Sequence, residues 1–160
     1  MEQVQLLEAI LKNKIWNILK MSTIKAYTDG ACRGNPGPGG AGAIIFYPET
    51  TQEISEYVGR RTTNNVAEYT AVILALENIK KRGVKDDERI AIYTDSDLIV
   101  KQMHGVWKCN KPHLIELKKK AQKIITELNV GWTFVWVKGH AGNKWNEKAD
   151  ELANLAIDSR

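Results

Sequence analysis

The sequence predicts an α/β fold: a five-stranded mixed sheet flanked by helices, with an amphipathic helix ahead of it. The tetrapeptide Tyr-Thr-Asp-small occurs twice, as Tyr27-Thr28-Asp29-Gly30 and Tyr93-Thr94-Asp95-Ser96. Each copy closes a run that alternates apolar and other side chains, the mark of a strand. Between and after these runs, apolar residues recur at helical spacing, and the elements read in the order βββαβααβα. Strands separated by helices imply parallel neighbours, whereas the first three strands, joined by short turns, imply an antiparallel meander.

The opening helix spans about residues 1–20, with Val4, Leu7, Leu11, Ile15 and Ile18 in one stripe widened by Leu6, Ile10, Trp16 and Leu19. Glu2 and Glu8 lie early and Lys12, Lys14 and Lys20 late, which suits the helix dipole. Strand one closes at Asp29, and the segment Gly30 to Gly40, rich in glycine and proline, reads as an exposed irregular loop. Strands of about Ala41–Tyr47 and Glu53–Gly59 flank a turn near Pro48-Glu49-Thr50. A helix of about Asn65–Lys81 stops at Gly83, as glycine at a helix end predicts. Strand four leads to a helix opening at Ser96 or Asp97, and a polar segment from Trp107 to Pro112 leads to a helix of about His113–Leu128. Strand five, Trp132–Val137, and a last helix, about Lys144–Ile157, complete the chain.

A chain of 160 residues with 43% apolar content suits one domain with a sizeable core. We expect residues 1–21 to form a helical extension and residues 22–160 the functional domain. The formal net charge of +4 permits an anionic partner without demanding one. Cys32 and Cys109 have neither the number nor the spacing of a disulfide framework or a zinc site, which fits a reducing cytoplasm. No apolar run approaches the roughly 20 residues of a membrane-spanning helix, so we expect a soluble cytoplasmic protein without a membrane partner. The N-terminal helix is expected to pack on its own domain or on a second copy.

Function is most legible in the acids. If the two Tyr-Thr-Asp strands lie parallel and adjacent, Asp29 and Asp95 meet at their carboxyl ends, where open α/β sheets place ligands. Glu68 falls early in its helix, on the stripe continued by Val72, Ala75 and Ile79. A carboxylate facing inward must end in a polar cleft or be paired. Asp150 sits beside the core stripe of the last helix, in a polar row with Asn146 and Asn154. Taken singly, Asp29 and Asp95 read equally as capping residues, Glu68 as an acid favoured by the helix dipole and Asp150 as an ordinary solvated acid. Converging without cysteine, they describe an oxygen-ligand site for Mg²⁺ or Mn²⁺, and paired ions of that kind act on phosphodiesters.

Five motifs, taken together, resemble a known family. They are Tyr27-Thr-Asp-Gly-Ala-Cys-Arg-Gly-Asn-Pro-Gly-Pro-Gly-Gly, Thr62-Thr-Asn-Asn-Val-Ala-Glu68, Tyr93-Thr-Asp-Ser96, Trp136-Val-Lys-Gly-His-Ala-Gly142 and Asn146-Glu-Lys-Ala-Asp-Glu-Leu-Ala153. In this order the sequence resembles type 1 ribonuclease H over about residues 22–157. The resemblance implies the ribonuclease H-like fold and endonucleolytic cleavage of the RNA strand of an RNA/DNA hybrid, leaving 5′-phosphate and 3′-hydroxyl ends. It implies Asp29, Glu68, Asp95 and Asp150 as ligands of two Mg²⁺ ions, with Asp29 bridging and Mn²⁺ as a substitute. It implies a mobile catalytic histidine at His140, and hybrid contacts from Asn35, Thr63, Asn64 and Asn65. The chain resembles the members that lack a basic, tryptophan-rich protrusion, since Met103 to Pro112 passes directly between two helices. Leu98 stands where the family usually has an aromatic, and Trp107, Lys108, Lys111 and Lys118 to Lys120 are candidate substitutes in gripping the hybrid. Two other readings remain: a hybrid-binding module without hydrolysis, and another metal-dependent nuclease of the same superfold. No obligate protein partner is implied.

Overall fold

The computed structural model describes residues 2–160, the side chains of residues 17–20 excepted. The elements are α1 (Glu2–Lys20), β1 (Ser22–Cys32), β2 (Gly37–Phe46), β3 (Thr51–Thr62), α2 (Asn64–Arg82), β4 (Glu88–Thr94), α3 (Asp97–Met103), α4 (Pro112–Leu128), β5 (Trp132–Trp136) and α5 (Lys144–Asp158). One sheet has the strand order β3-β2-β1-β4-β5. β2 runs antiparallel to β1 and β3, while β1 and β5 run parallel to β4 on either side. The mixed sheet and the meander of the sequence reading are both present.

Alternation along the central strands decides what each face carries. Ile24, Ala26 and Thr28 of β1 and Ile90, Ile92 and Thr94 of β4 are buried, while Lys25, Tyr27 and Asp29 occupy the alternate positions. The α2 stripe of Val72, Ala75, Leu76 and Ile79 is fully buried, and Leu114, Ala121, Ile124 and Ile125 of α4 join the same cluster. The parallel register pairs Tyr27 with Tyr93, whose rings stack 4.6 Å apart. Asp29 and Asp95 therefore follow at one level, two residues beyond the stacked pair.

Contrary to the expected loop, most of the Gly30–Gly40 segment is strand. β1 runs on to Cys32 and β2 already starts at Gly37, leaving Arg33 to Pro36 as the turn. The residue types were read for flexibility, but here they matter for their lack of bulk. A side-chain carbon at Gly42 would lie 2.2 Å from the Ala149 carbonyl oxygen, and one at Gly40 2.1 Å from that of Ala153. The backbone of α5 thus rests directly on β2. Gly30, paired with Ala41, points to the other face, where a side-chain carbon would lie 2.3 Å from the backbone of Ala67 and Glu68 in α2.

Two further side chains fix the frame. Glu88, only 2% exposed, accepts hydrogen bonds from Arg82 at 2.7 and 3.1 Å and from the Lys85 amide at 2.9 Å. The guanidinium, itself bound to Glu49, holds the Glu88 carboxyl below its usual range. His104 accepts the Phe134 amide at 3.1 Å on Nε2 and so caps the open edge of β5, where an unpaired donor is costly. In α1, every residue from Glu2 to Trp16 is exposed; the expected stripe residues Ile18 and Leu19, and Lys20, have side chains outside the described residues. Packing of this stripe on its own domain is therefore not what the fold presents.

Because α5 docks through bare backbone, Gly42→Ala is expected to destabilise the domain by about 1–3 kcal/mol, read as a lower urea midpoint. An unchanged midpoint would mean that α5 shifts freely on the sheet.

Candidate active site

Two strands and a helix converge on the acids. Asp29 is held in the β1 ladder opposite Gly42 and is 5% exposed; its Oδ1 accepts the Gly30 amide at 2.9 Å. Asp95 follows the last residue of β4, where β4 departs from β1 and the Trp136 indole donates to its carbonyl oxygen at 3.2 Å. Glu68 arrives because Gly30 lets the Ala67–Glu68 backbone lie on the strand beside Asp29. Since α2 starts at Asn64, one residue earlier than expected, Glu68 falls in its second turn. The favourable end of the helix dipole fades within the first turn, so dipole stabilisation does not account for an acid there.

One carboxylate oxygen from each of Asp29, Glu68 and Asp95 lies within 4.8 Å of the others. Such crowding shows in their protonation. Burial, then the charges of Asp95, Asp150 and Glu68, push the Asp29 carboxyl up to about 9. Burial lifts Glu68 to about 7, against a hydrogen bond from Ser96 and with the charge of Asp95 adding to the rise. Asp95 is raised by burial and by Asp150, an effect moderated by His140 and by a hydrogen bond from Asn146. Asp150 contributes from α5 and hydrogen-bonds the Asp29 carboxyl, although it lies outside the close trio. Glu88 supplies the contrast: it is the other acid below 9% exposure among the described residues, and it has an arginine. Among the described residues no lysine or arginine forms an ion pair with the trio, and its oxygen-only donor set fits a hard divalent ion.

Residues that the motif reading did not single out complete the surroundings. Ser96 caps α3 by accepting the Ile99 amide at 3.3 Å while bonding Glu68. Asn146, 3% exposed, bonds Asp95, and its Oδ1 is buried without a partner. A serine after Asp95 and an asparagine four residues before Asp150 were visible as helix-cap and polar-row signals; only the fold directs them at the acids.

His140 stands exposed in a turn with left-handed φ of 52°, on the loop whose Gly139 leaves room for Asp95: a side-chain carbon at 139 would lie 2.6 Å from the Asp95 carboxylate. Asn35 and Thr63 both serve the start of α2. Oδ1 of Asn35 accepts the Asn64 amide at 3.1 Å, and Oγ1 of Thr63 accepts that of Val66 at 3.3 Å. Asn64 is exposed and Asn65 half-buried. Asn65 lines a cavity of about 170 Å³ with Leu98, Lys108, Cys109 and Lys111, which groups several of the expected substitutes for the absent protrusion. The Lys118 to Lys120 run sits on α4; Lys119 and Lys120 are tied to Glu116 and Glu77.

A mixed sheet that gathers three acids beyond its central parallel strands defines a divalent-cation site of hard oxygen donors. The family model for RNase H matches residues 21–158, and the chain belongs to the RNase H family. It is 44% identical over 149 residues to a ribonuclease H of Francisella philomiragia, covering 86% of this chain and 93% of that one. A ribonuclease H of Chlorobaculum parvum is 42% identical over 147 residues, covering 84% and 95%. Among solved structures, RNase H1 from Halobacterium salinarum superposes with a TM-score of 0.76 at 36% identity over 87% of this chain and all (100%) of that one. LC11-RNase H1, solved in complex with an RNA/DNA hybrid, gives 0.76 at 42% identity over 85% and 97%. The family is metal-dependent.

The raised Asp29 carboxyl predicts a stability effect of definite sign. A folded-state value raised from 3.8 to about 9 means that the folded chain holds a proton the unfolded chain has lost, so stability falls as pH climbs between these values. In chelator, Asp29→Asn is expected to raise Tm at pH 7.5 by several degrees, at about 2–4 °C per kcal/mol, with the gain vanishing near pH 4. A gain independent of pH would sever it from the acid cluster. Asn146→Ala is expected to lower kcat at least tenfold with KM little changed, since it frees the Asp95 carboxyl without touching a nucleic-acid surface; an equal rise in KM would indicate a contact with substrate instead.

Proposed function

We propose that the chain is an endonuclease that hydrolyses the RNA strand of RNA/DNA hybrids, leaving 5′-phosphate and 3′-hydroxyl ends. The observation that carries this is the convergence of Asp29, Glu68 and Asp95 oxygens within 4.8 Å in a chain of the RNase H family. We assign Asp29, Glu68, Asp95 and Asp150 as the residues that would hold two Mg²⁺ ions, with Mn²⁺ as a substitute. When bound, such ions supply a nucleophilic water and stabilise charge on the leaving oxygen.

The protein's own groups do the rest. Ser96 and Asn146 hold Glu68 and Asp95 in orientation. His140, exposed beside Asp95, carries protons at its imidazole nitrogens between the site and solvent, on a loop that Gly139 and Gly142 leave free to move. Asn64 and Asn65 open α2 at the rim of the cleft, and Asn35 and Thr63 fix that rim. Their amides read the 2′-hydroxyl, the group that separates an RNA strand from DNA. Contacts to phosphate and sugar carry little sequence information, so base preference is slight. Lys108 and Lys111, beside Leu98, hold the phosphate backbone where a protrusion is missing.

We place this activity in residues 22–160, with residues 1–21 a separate helical extension. Among the described residues no helix is long and apolar enough to cross a membrane, and the free Cys32 and Cys109 support a reducing, cytoplasmic setting.

The test presents one end-labelled sequence as RNA/DNA hybrid, duplex RNA, duplex DNA and single-stranded RNA, with Mg²⁺, Mn²⁺ or chelator at fixed salt. Metal-dependent cuts confined to the RNA of the hybrid are expected. Salt-sensitive hybrid binding without cutting would identify a binding module, and cleavage of duplex DNA another nuclease. Asp29→Asn should lose cleavage while keeping hybrid binding, and His140→Ala should slow kcat by about 100-fold without abolishing it; full turnover by Asp29→Asn would overturn the ligand assignment.

A further inference from the structure

Among the described residues, α1 carries apolar side chains that its own domain leaves exposed. Leu7, Leu11 and Ile15 are 65, 59 and 48% exposed. Burying apolar area is favourable by roughly 25 cal/mol per Å², and a helix with a broad apolar face has a partner or a layer to lie against. Its own sheet is out of reach. Only Met21 separates α1 from β1, and the two Cα steps from Lys20 to Ser22 span about 7 Å, short of the about 10 Å to a neighbouring layer.

The sequence of α1 describes its own inverted copy as the partner. Leu7 and Ile15 flank Leu11 at equal four-residue spacings, so a helix running the other way about a two-fold axis at Leu11 meets the same stripe. Charge agrees with this direction. Glu2 and Glu8 precede Leu11, whereas Lys12 and Lys14 follow it. Antiparallel pairing lays the acidic half of each helix along the basic half of the other and opposes their dipoles. Glu8 and Lys12, four residues apart, share one flank of the stripe, and the two-fold axis brings Glu8 of each helix toward Lys12 of the other. A parallel copy would align acid with acid and base with base. An anionic lipid surface favours a polar face rich in lysine, and the acids of α1 oppose that.

We propose that α1 pairs antiparallel with α1 of a second copy, making the chain a dimer with independent active sites. A 19-residue helix is about 28 Å long, so the two domains leave the helix pair at opposite ends. β1 begins beside the helix at Ser22, and Asp29 lies seven residues further on, about 23 Å along the strand. Both sites therefore lie well along the sheet from the pair. On the proposed function, such a dimer grips one long hybrid at two places and gains avidity over a single domain.

Sedimentation of the full chain without nucleic acid tests the pairing separately from the chemistry. The expected mass is twice 18.0 kDa, falling to one chain in Leu7→Asp/Leu11→Asp with cleavage per chain of a short hybrid unchanged. Glu8→Lys and Lys12→Glu should each weaken pairing about tenfold, and mixing the two variants should restore it. Under mild oxidation Leu11→Cys should cross-link and Val4→Cys should not, with the parent chain as control; cross-linking of both would overturn the antiparallel arrangement. A parent chain that stays monomeric at tens of micromolar would overturn the dimer, as would a dimer that survives Leu7→Asp/Leu11→Asp. Co-sedimentation of a monomeric parent with anionic vesicles, lost in that double variant, would overturn it in favour of a lipid surface.

Discussion

Repulsion among carboxylates is the constraint around which this molecule is arranged. Asp29, Glu68 and Asp95 hold oxygens within 4.8 Å of each other, and Asp150 adds a fourth charge against Asp29. Left to itself such a group would spread apart or stay protonated. Instead, the ladder opposite Gly42 fixes Asp29, the end of β4 fixes Asp95, and the docking of α2 on Gly30 fixes Glu68. The backbone contacts that hold these elements involve positions with no side chain to yield. Stability is therefore spent on a geometry that protonation or a bound cation would relieve, a common trade at functional sites.

The same constraint separates working acids from structural ones. Glu88 and Asp29 are almost equally buried and lie on neighbouring strands, yet their carboxyls shift in opposite directions. Arg82 compensates Glu88 and lowers it, whereas Asp29 meets further negative charge and rises. Burial alone thus says little about role; the sign of the nearest charge says more. Ser96 and Asn146 fit this view, since each gives a hydrogen bond to a crowded carboxylate and eases the repulsion without removing it.

Polar and basic residues surround this centre. Asn35 and Thr63 are committed to the first turn of α2, which carries Asn64 and Asn65. The crossing from α3 to α4 brings Lys108 and Lys111 beside Leu98. At the other end of β1, α1 ends at Lys20, nine residues before Asp29. On the proposed pairing, the parts of the chain that assemble and the parts that cut are separated along one strand.

The chain's order of elements, the parallel pairing of two Tyr-Thr-Asp strands and the convergence of Asp29, Glu68 and Asp95 were legible in the sequence, because side-chain alternation and helical period are local and register follows from them. The extension of β1 and β2 into the glycine-rich segment was not legible. Glycine signals freedom in a sequence, but here it serves close approach, and whether a helix backbone will occupy the vacant space is a tertiary fact. The same holds for Glu68, whose place in the second turn of α2 follows from a one-residue shift of the helix start, and for Asn146 and His104, whose partners lie on elements distant in sequence. By itself the sequence determined which residue types face one another along each element. Only the tertiary structure decided how near they come, because that distance is set by the backbone contacts at Gly30, Gly40 and Gly42 rather than by any side chain's own preference.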